Sequence, residues 1–511
     1  SDIHDYYIYL PKGTYKYIAT ITGDMTNYII NSVQRKEFEF RKYDAFGRLY
    51  DIGEYLSTGT SVFTQDNAAA PAFPSNNIVR NKYYYFDGPS PMAVASGQRN
   101  LKGRVSYAST YQDGALHQHT FYSYDDLGRV EWIVQYFATG YNAKIKYNYD
   151  LQGKLVKKEY LQTNNNMYTF YEYDQMQRLI NVNTGRYENG SEKIPEASYT
   201  YNAGGTVKRL KLANAQGVDY CYNSRDWLTM INQQNLNSAD DPGHDGATGS
   251  AIPVDKFGMV LGYDITNHIG GAQGTPAQYN GNISWQMYNI SGLAFNSFPL
   301  VGASYTYDKA NRLKKSDFGY YDGSWKPATA YDMSNISYDN NGNITLLNRY
   351  GTQNSLMDNQ TYNYIATTNK LQSITDAALP SMSGSDIDNQ ASNNYAYDAN
   401  GNLTQDLQNG VGFIYYDINN LPLKMYKTNG TVLEYGYDAT GNRSYNKPEN
   451  RYYINNLSGA NEAVASSVTS TTVSYNIYGN DNIGLIDKIG TTYNRYYYLK
   501  DHLGSIRVRV D

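Results

Sequence analysis

The stretch from Tyr395 to Leu403, Tyr-Ala-Tyr-Asp-Ala-Asn-Gly-Asn-Leu, constrains this chain more than any other, because most of the sequence is this unit written again. Tyr395 and Tyr397 are two apart, so on an extended strand both rings stand on one face of a sheet. Asp398 ends that strand: Asp at the first position of a type I turn accepts backbone N–H bonds from just ahead of it. Gly401, three residues on, takes the positive φ that closes the turn. Leu403 opens the returning strand, so nine residues encode a hairpin corner.

Tyr-Asp with Gly three residues after the Asp recurs at Tyr43, Asp44 and Gly47; Tyr124, Asp125 and Gly128; Tyr149, Asp150 and Gly153; Tyr338, Asp339 and Gly342; Tyr397, Asp398 and Gly401; and Tyr437, Asp438 and Gly441. Looser copies fill the gaps. Tyr173-Asp174 and Tyr307-Asp308 lose the Gly but keep Arg-Leu at Arg178-Leu179 and Arg312-Leu313. Tyr201-Asn202, Tyr222-Asn223 and Tyr362-Asn363 exchange Asp for Asn, and Tyr416-Asp417 keeps the dipeptide alone. Markers Asp125, Asp150, Asp174, Asn202 and Asn223 are 25, 24, 28 and 21 residues apart. A period of roughly 20 to 30 residues marks a repeat architecture.

Tyr43-Asp44-Ala45-Phe46-Gly47-Arg48-Leu49 resembles the YD repeat of the Rhs (rearrangement hotspot) family. The ending Tyr497-Tyr498-Leu499-Lys500-Asp501-His502-Leu503-Gly504-Ser505-Ile506-Arg507 resembles the Rhs core signature, with Asp501, His502, Gly504 and Arg507 as its polar and turn positions. The middle segment from Phe257-Gly258-Met259 through Gln278-Tyr279-Asn280-Gly281-Asn282-Ile283-Ser284-Trp285 resembles an interruption common in Rhs proteins of Bacteroidota. The resemblance spans nearly the whole chain. It implies an all-β array of YD-repeat hairpins spiralling into a hollow shell, a non-enzymatic secreted or cell-surface protein that encloses or presents a C-terminal, toxin-like cargo. Its implied partners are the protein's own N- and C-terminal regions or enclosed cargo, with secretion-system or outer-surface proteins. A cell-surface structural or adhesive role, or that of a substrate held by a secretion machine, is the alternative; a carbohydrate-binding or glycan-active protein comes third.

Composition supports a wall. There are 57 Tyr against 14 Phe, and Tyr is used where a ring is covered while its hydroxyl reaches water or a partner. No apolar run approaches the ~18 residues of a membrane helix, and mean hydropathy is −0.65, so no membrane span is expected. The first residues, Ser1 to Asp5, carry no basic and apolar leader pattern. A net charge of −5 supplies no field for phosphate backbones, which argues against nucleic acid. Cys221 stands alone, so no disulfide forms within the chain.

Along the chain, residues 1–106 hold N-terminal strands (Tyr6 to Leu10, Tyr15 to Ile18), the first repeat and a surface loop from Ser57 to Ser90 that includes Ala68 to Pro74. Repeats fill 107–231 and 305–445. The stretch 232–304 reads as an irregular, loop-rich insertion, with loops at Asn235 to Ser250 and Gly262 to Gly281 and with Trp285 and Phe295 to pin it. Residues 446–511 carry C-terminal strands and the core signature. Helical periodicity with caps is scarce.

No catalytic, cofactor or metal site is expected. Asp240 to Gly246 packs three carboxylates and His244 into seven residues but lacks regular cation-loop spacing, and reads as a solvated loop. Its Asp241-Pro242-Gly243 is similar to the Rhs autocleavage motif but stands singly in mid-chain, which argues against that role. His117 and His119 share a strand face without an obvious third metal ligand. Gly-x-Ser-x-Gly, HExxH and P-loop motifs are absent. The Tyr rows suit cross-strand packing, where facing aromatics contribute about 0.2 to 1 kcal/mol each, better than stacking on sugars. Asp501, His502 and Arg507 are assigned to closing the end of the array.

Overall fold

The computed structural model describes residues 5–7, 18–20, 36–57, 78–112, 114–237, 239–264, 276–352, 354–378, 386–417, 419–447, 449–466 and 472–511. Almost every element is a β-strand, and a single 3-10 turn, Ala93–Ala95, is the helical element among the described residues. The expected strand at Tyr6 to Leu10 is described only as Asp5–Tyr7, which pairs with Ile18–Thr20. Most of the second, Tyr15 to Ile18, and Ala68 to Pro74 lie outside the described residues.

Strands from Lys36–Tyr43 to Leu371–Asp376 pair antiparallel in chain order, forming one long strip in which the short Trp325–Pro327 shares the partner Leu313–Tyr321 with Met333–Tyr338. The strip is open. Its last strand pairs with Leu356–Tyr364 on one side, and its other edge is taken up by a following segment. Gln390 exchanges two bonds with Ile374 (3.0 and 2.9 Å), and the Asp376 N–H donates to Asn389 Oδ1 at 2.7 Å. A covered edge offers no unpaired backbone to a further strand. A second sheet of twelve strands follows, again in chain order, from Tyr395–Tyr397 to Ile506–Val510.

Two expectations change. Within the stretch read as a surface loop, Ile78–Phe86 is a full strand paired on both sides; its Tyr83-Tyr84-Tyr85-Phe86 run favours a half-buried pleat over a loop. The strip also passes through 232–304, where Phe257–Gly262 and Trp285–Ile290 pair with each other and with their neighbours. Trp285 is buried with Val260, Met287 and Leu300, while Phe295 packs on Phe318 and Tyr320.

The largest core lies between the strip and the second sheet. Ile133, Phe137, Ile145, Val182 and Leu212 from the strip meet Ile454, Ala463, Tyr475, Ile486 and Leu499 from the sheet. Alternation explains it. Asn142–Tyr149 buries every second residue, which leaves one apolar face that must be covered.

Candidate functional site

The repeat residues converge on the corners, and the regular corners are closed by bonds that span at most four residues. At Asp125 the N–H groups of Leu127 and Arg129 donate to Oδ1 (3.0 and 2.8 Å), and Arg129 Nε donates to Oδ2 at 2.6 Å. The Gly128 N–H donates to the Asp125 carbonyl at 3.0 Å, and Gly128 has φ +82°. The same set recurs at Asp44, Asp174 and Asp308, with Arg48, Arg178 and Arg312 in the Arg role. At Asp339 and Asp398, Asn343 and Asn402 take that role through Nδ2. Where the Gly is missing, Gln177 and Asn311 accept the left-handed backbone, both at φ +62°.

Beside each turn the ladder slips by one residue. Tyr124 faces Val130 while Ser123 faces Trp132, leaving Glu131 unpaired; Tyr173 and Tyr397 show the same bulge. Such bulges bend and twist a strip. They also free the carbonyl five residues after the Asp, and the next repeat uses it. Tyr149 OH donates to the Val130 carbonyl at 3.0 Å, Tyr173 to Leu155 at 2.9 Å, Tyr201 to Leu179 at 2.6 Å, Tyr338 to Leu313 at 2.7 Å and Tyr437 to Pro422 at 2.9 Å. The Arg of one corner lies over the Tyr ring of the next: Arg129 is 4.6 Å from the Tyr149 centroid, and Arg312 is 4.4 Å from that of Tyr338. Asp, Arg or Asn, and Tyr thus form a spine that links successive corners along one side of the strip, and the bond from Tyr437 repeats the link in the second sheet. The backbone N–H of Arg178 first, then its guanidinium, hold the Asp174 carboxyl below its usual range despite some burial.

The spine runs through corners that the sequence pattern does not reveal. At Asp87 the N–H donates to the Arg104 carbonyl, Gly103 N–H donates to Asp87 Oδ1, and Tyr124 OH donates to the Val105 carbonyl at 2.9 Å, so a corner is closed around an inserted segment. The hydroxyl bonds continue at Tyr263-Asp264, where Asp264 pairs with Arg225 of the preceding corner. Tyr263 OH donates to the Leu228 carbonyl, and Tyr307 OH to that of Ile283. Asn456, with Gly459 at φ +81°, makes a corner lacking the preceding Tyr. Tyr362-Asn363 is not a corner: it lies inside Leu356–Tyr364, and Tyr364 supplies the hydroxyl, donated to the Ile344 carbonyl at 2.8 Å.

The terminal signature forms one more corner. Leu503 and Ser505 N–H groups donate to Asp501 Oδ1 (both 2.9 Å), Arg507 Nε donates to Oδ2 at 2.8 Å, and Gly504 has φ +83°. Arg507 also lies 5.8 Å from the Tyr288 ring of the strip. His502 is half-buried beside it, and burial lowers its pKa.

Polar groups join the two sheets at isolated points. Glu196 is fully buried and accepts bonds from Arg495 Nε (2.9 Å), Tyr497 OH (2.6 Å) and Thr184. Lys158 pairs with Glu462 at 2.5 Å, both buried. A cavity of about 680 Å³ opens between the sheets, lined by Tyr149, Tyr173 and Tyr201 with Lys154 and Arg178, opposite Asn456. The hydroxyls of Tyr149, Tyr173 and Tyr201 are engaged by backbone carbonyls, and Glu462, Gln177 and Asn480 add polar groups to the lining.

His117 and His119 are held apart from metal-like company. His117 Nε2 lies 3.2 Å from Ser444 Oγ of the second sheet, and His119 Nδ1 lies 2.6 Å from Ser109 Oγ. Burial pushes the His117 imidazole down to about 4.

The loop expected to be solvated at Asp240 to Gly246 is not so throughout. Asp241 and Asp245 are 2% and 1% exposed, turned in against Asp219 of the strip. One carboxylate oxygen from each of the three lies within 4.8 Å of the others. The loop folds inward because Arg209 bonds both Asp219 and Asp245. Burial, then the neighbouring Asp241, pushes Asp255 up to about 9.

No family model and no curated protein matches this chain. The fold is shared with the crystal structure of TcdB2-TccC3 without its hypervariable C-terminal region, at TM-score 0.59 and 14% identity over 97% of this chain. The chain spans 23% of that longer chain. The Photorhabdus luminescens Tc holotoxin pore aligns with 95% of this chain at 12% identity and a TM-score of 0.26. The first likeness supports an all-β array of antiparallel hairpins.

Proposed function

We propose that this chain is a non-enzymatic wall segment of a YD-repeat shell of the Rhs type, part of a secreted bacterial protein that encloses or presents a toxin-like cargo. The spine carries this reading. The conspicuous polar groups of the repeats, Asp, Arg and Tyr hydroxyl, are spent on joining each corner to the next, which suits a wall and leaves little for turnover. The fold likeness to TcdB2-TccC3 supports it. Pockets of roughly 300 to 1,000 Å³ take small ligands, so the 680 Å³ cavity is too small for a folded cargo. The enclosure this reading requires is larger, supplied by further turns of the strip or by a partner wall. Among the described residues no helix is long and apolar enough to cross a membrane.

One observation favours a second reading, a cell-surface or secretion-associated component docked from outside. Corner tips expose Phe46, Leu127, Leu151 and Met176, the last three on successive corners, with Leu151 at 97% and Phe46 at 83%, and such rows of apolar groups mark contact surfaces. Cryo-EM of the protein isolated from its native cells separates the two. Density inside a closed spiral, beyond that of residues 1–511, is the expected result. An empty wall with partners on the Phe46-to-Met176 edge would replace the cargo reading with the docking one.

A further inference from the structure

We propose that Asp219, Asp241 and Asp245, with Asp255 beside them, form a calcium-binding site that fastens the 239–256 segment to the strip. This inference is independent of the shell reading. Asp219 comes from the strand Gln216–Tyr222, Asp241 and Asp245 from the inward-folded loop, and Asp255 from the segment that leads into Phe257–Gly262. All four are buried. Three of them bring an oxygen each to within 4.8 Å of one another, a spacing that one cation bridges.

The protein's own donors do not complete the cluster. Arg209 serves Asp219 Oδ2 and Asp245 Oδ1, Asp241 Oδ2 accepts the Asp245 N–H at 2.8 Å, and Asp255 Oδ1 accepts Asn232 Nδ2 at 3.0 Å. Asp241 Oδ1 is left buried with no hydrogen-bond partner. The carboxylates of Asp219, Asp241 and Asp245 therefore face one guanidinium in a buried space, and an uncompensated buried carboxylate is unfavourable. Every donor is oxygen, with no thiol or imidazole among them, which selects a hard cation. Calcium accepts an irregular shell of six to eight oxygens completed by carbonyls or water, whereas magnesium demands near-ideal octahedral geometry. Gly217 and Gly243 leave no room for a side chain around the Arg209 head and Asp245, so the backbone closes tightly on the site.

The test uses the full 511-residue chain, stripped with EDTA and dialysed against calcium chloride. The wild type is expected to bind one equivalent more calcium than Asp241→Asn, and calcium is expected to raise its melting midpoint while leaving that of the variant unchanged. A second carboxylate group, Asp358, Asp376 and Asp386, accounts for any equivalent common to both proteins. Asp240→Asn, on the exposed side of the same loop, should bind like the wild type. Equal binding by wild type and Asp241→Asn, or none by the wild type, overturns the site. If Asp241→Asn does not fold, proteolysis of the wild type decides: cleavage within 239–250 should slow in calcium relative to EDTA, and an unchanged rate overturns the proposal.

Discussion

Tyr149 and Tyr173, one repeat apart on the strip's edge, make the same bond to the carbonyl left free by the preceding bulge, whereas Glu196, on the face covered by the second sheet, has a set of partners found at no other repeat among the described residues. The edge is built from many modest, interchangeable, half-exposed contacts. The face relies on a few buried ones, each without a substitute. Loss of one spine bond therefore leaves its neighbours intact, as expected of a repeat array in which each unit leans only on the next. Loss of one interface pair strands a charge between two sheets.

The sharpest way to break this comparison is Glu196→Ala. It leaves Arg495 and the Tyr497 hydroxyl facing each other in a buried space, and removing one partner of a buried pair costs about 3 to 5 kcal/mol. Urea unfolding should show that loss; a change below about 1 kcal/mol would mean that the interface is as forgiving as the edge. Next comes Gly401→Val, which forces a β-branched residue to φ +90° at a strain of about 1 to 3 kcal/mol. An unmoved thermal midpoint would refute the corner geometry. Tyr149→Phe removes one hydroxyl from the spine and should cost only about 0.5 to 1.5 kcal/mol, with Tyr173→Phe matching it. Unequal losses would show that the repeats are not equivalent.

A pH dependence is expected at His117, whose ring is only partly exposed between strip and sheet. Burial depresses its folded pKa to about 4 from 6.5, so the unfolded chain takes up the proton first. Stability is unaffected above pH 6.5 and declines as pH falls from 6.5 towards 4. His117→Gln should flatten that part of the stability profile relative to wild type, and an identical slope in both proteins would discard the assignment.

The corners were legible because Asp, Gly and Tyr sit where turn chemistry needs them, and Asp125, Asp398 and Asp501 all close as their spacing suggests. One was hidden because an insertion separates the Asp from its partners: Asp87 finds Gly103 and Arg104 across the intervening segment. Tyr362 resembles a corner residue in sequence because it shares a face with Tyr364, and only the bulge position distinguishes the two. The buried carboxylates escaped notice for a different reason. Asp241 and Asp245 look like loop residues until Arg209, on a strand already laid down, draws them inward.

By itself the sequence determined the strand–corner repeat, since a type I turn capped by Asp and closed by a positive φ is decided by residues at most four apart. It also determined the all-β class, through alternation that leaves each strand one face to bury. Only the tertiary structure decided what covers that face. Lys488 reaches the Asn164 carbonyl across 324 residues of chain, and no local preference specifies a contact at that distance. It is selected when two finished sheets, each with an apolar face, meet in the one register that also pairs Glu196 with Arg495 and Lys158 with Glu462.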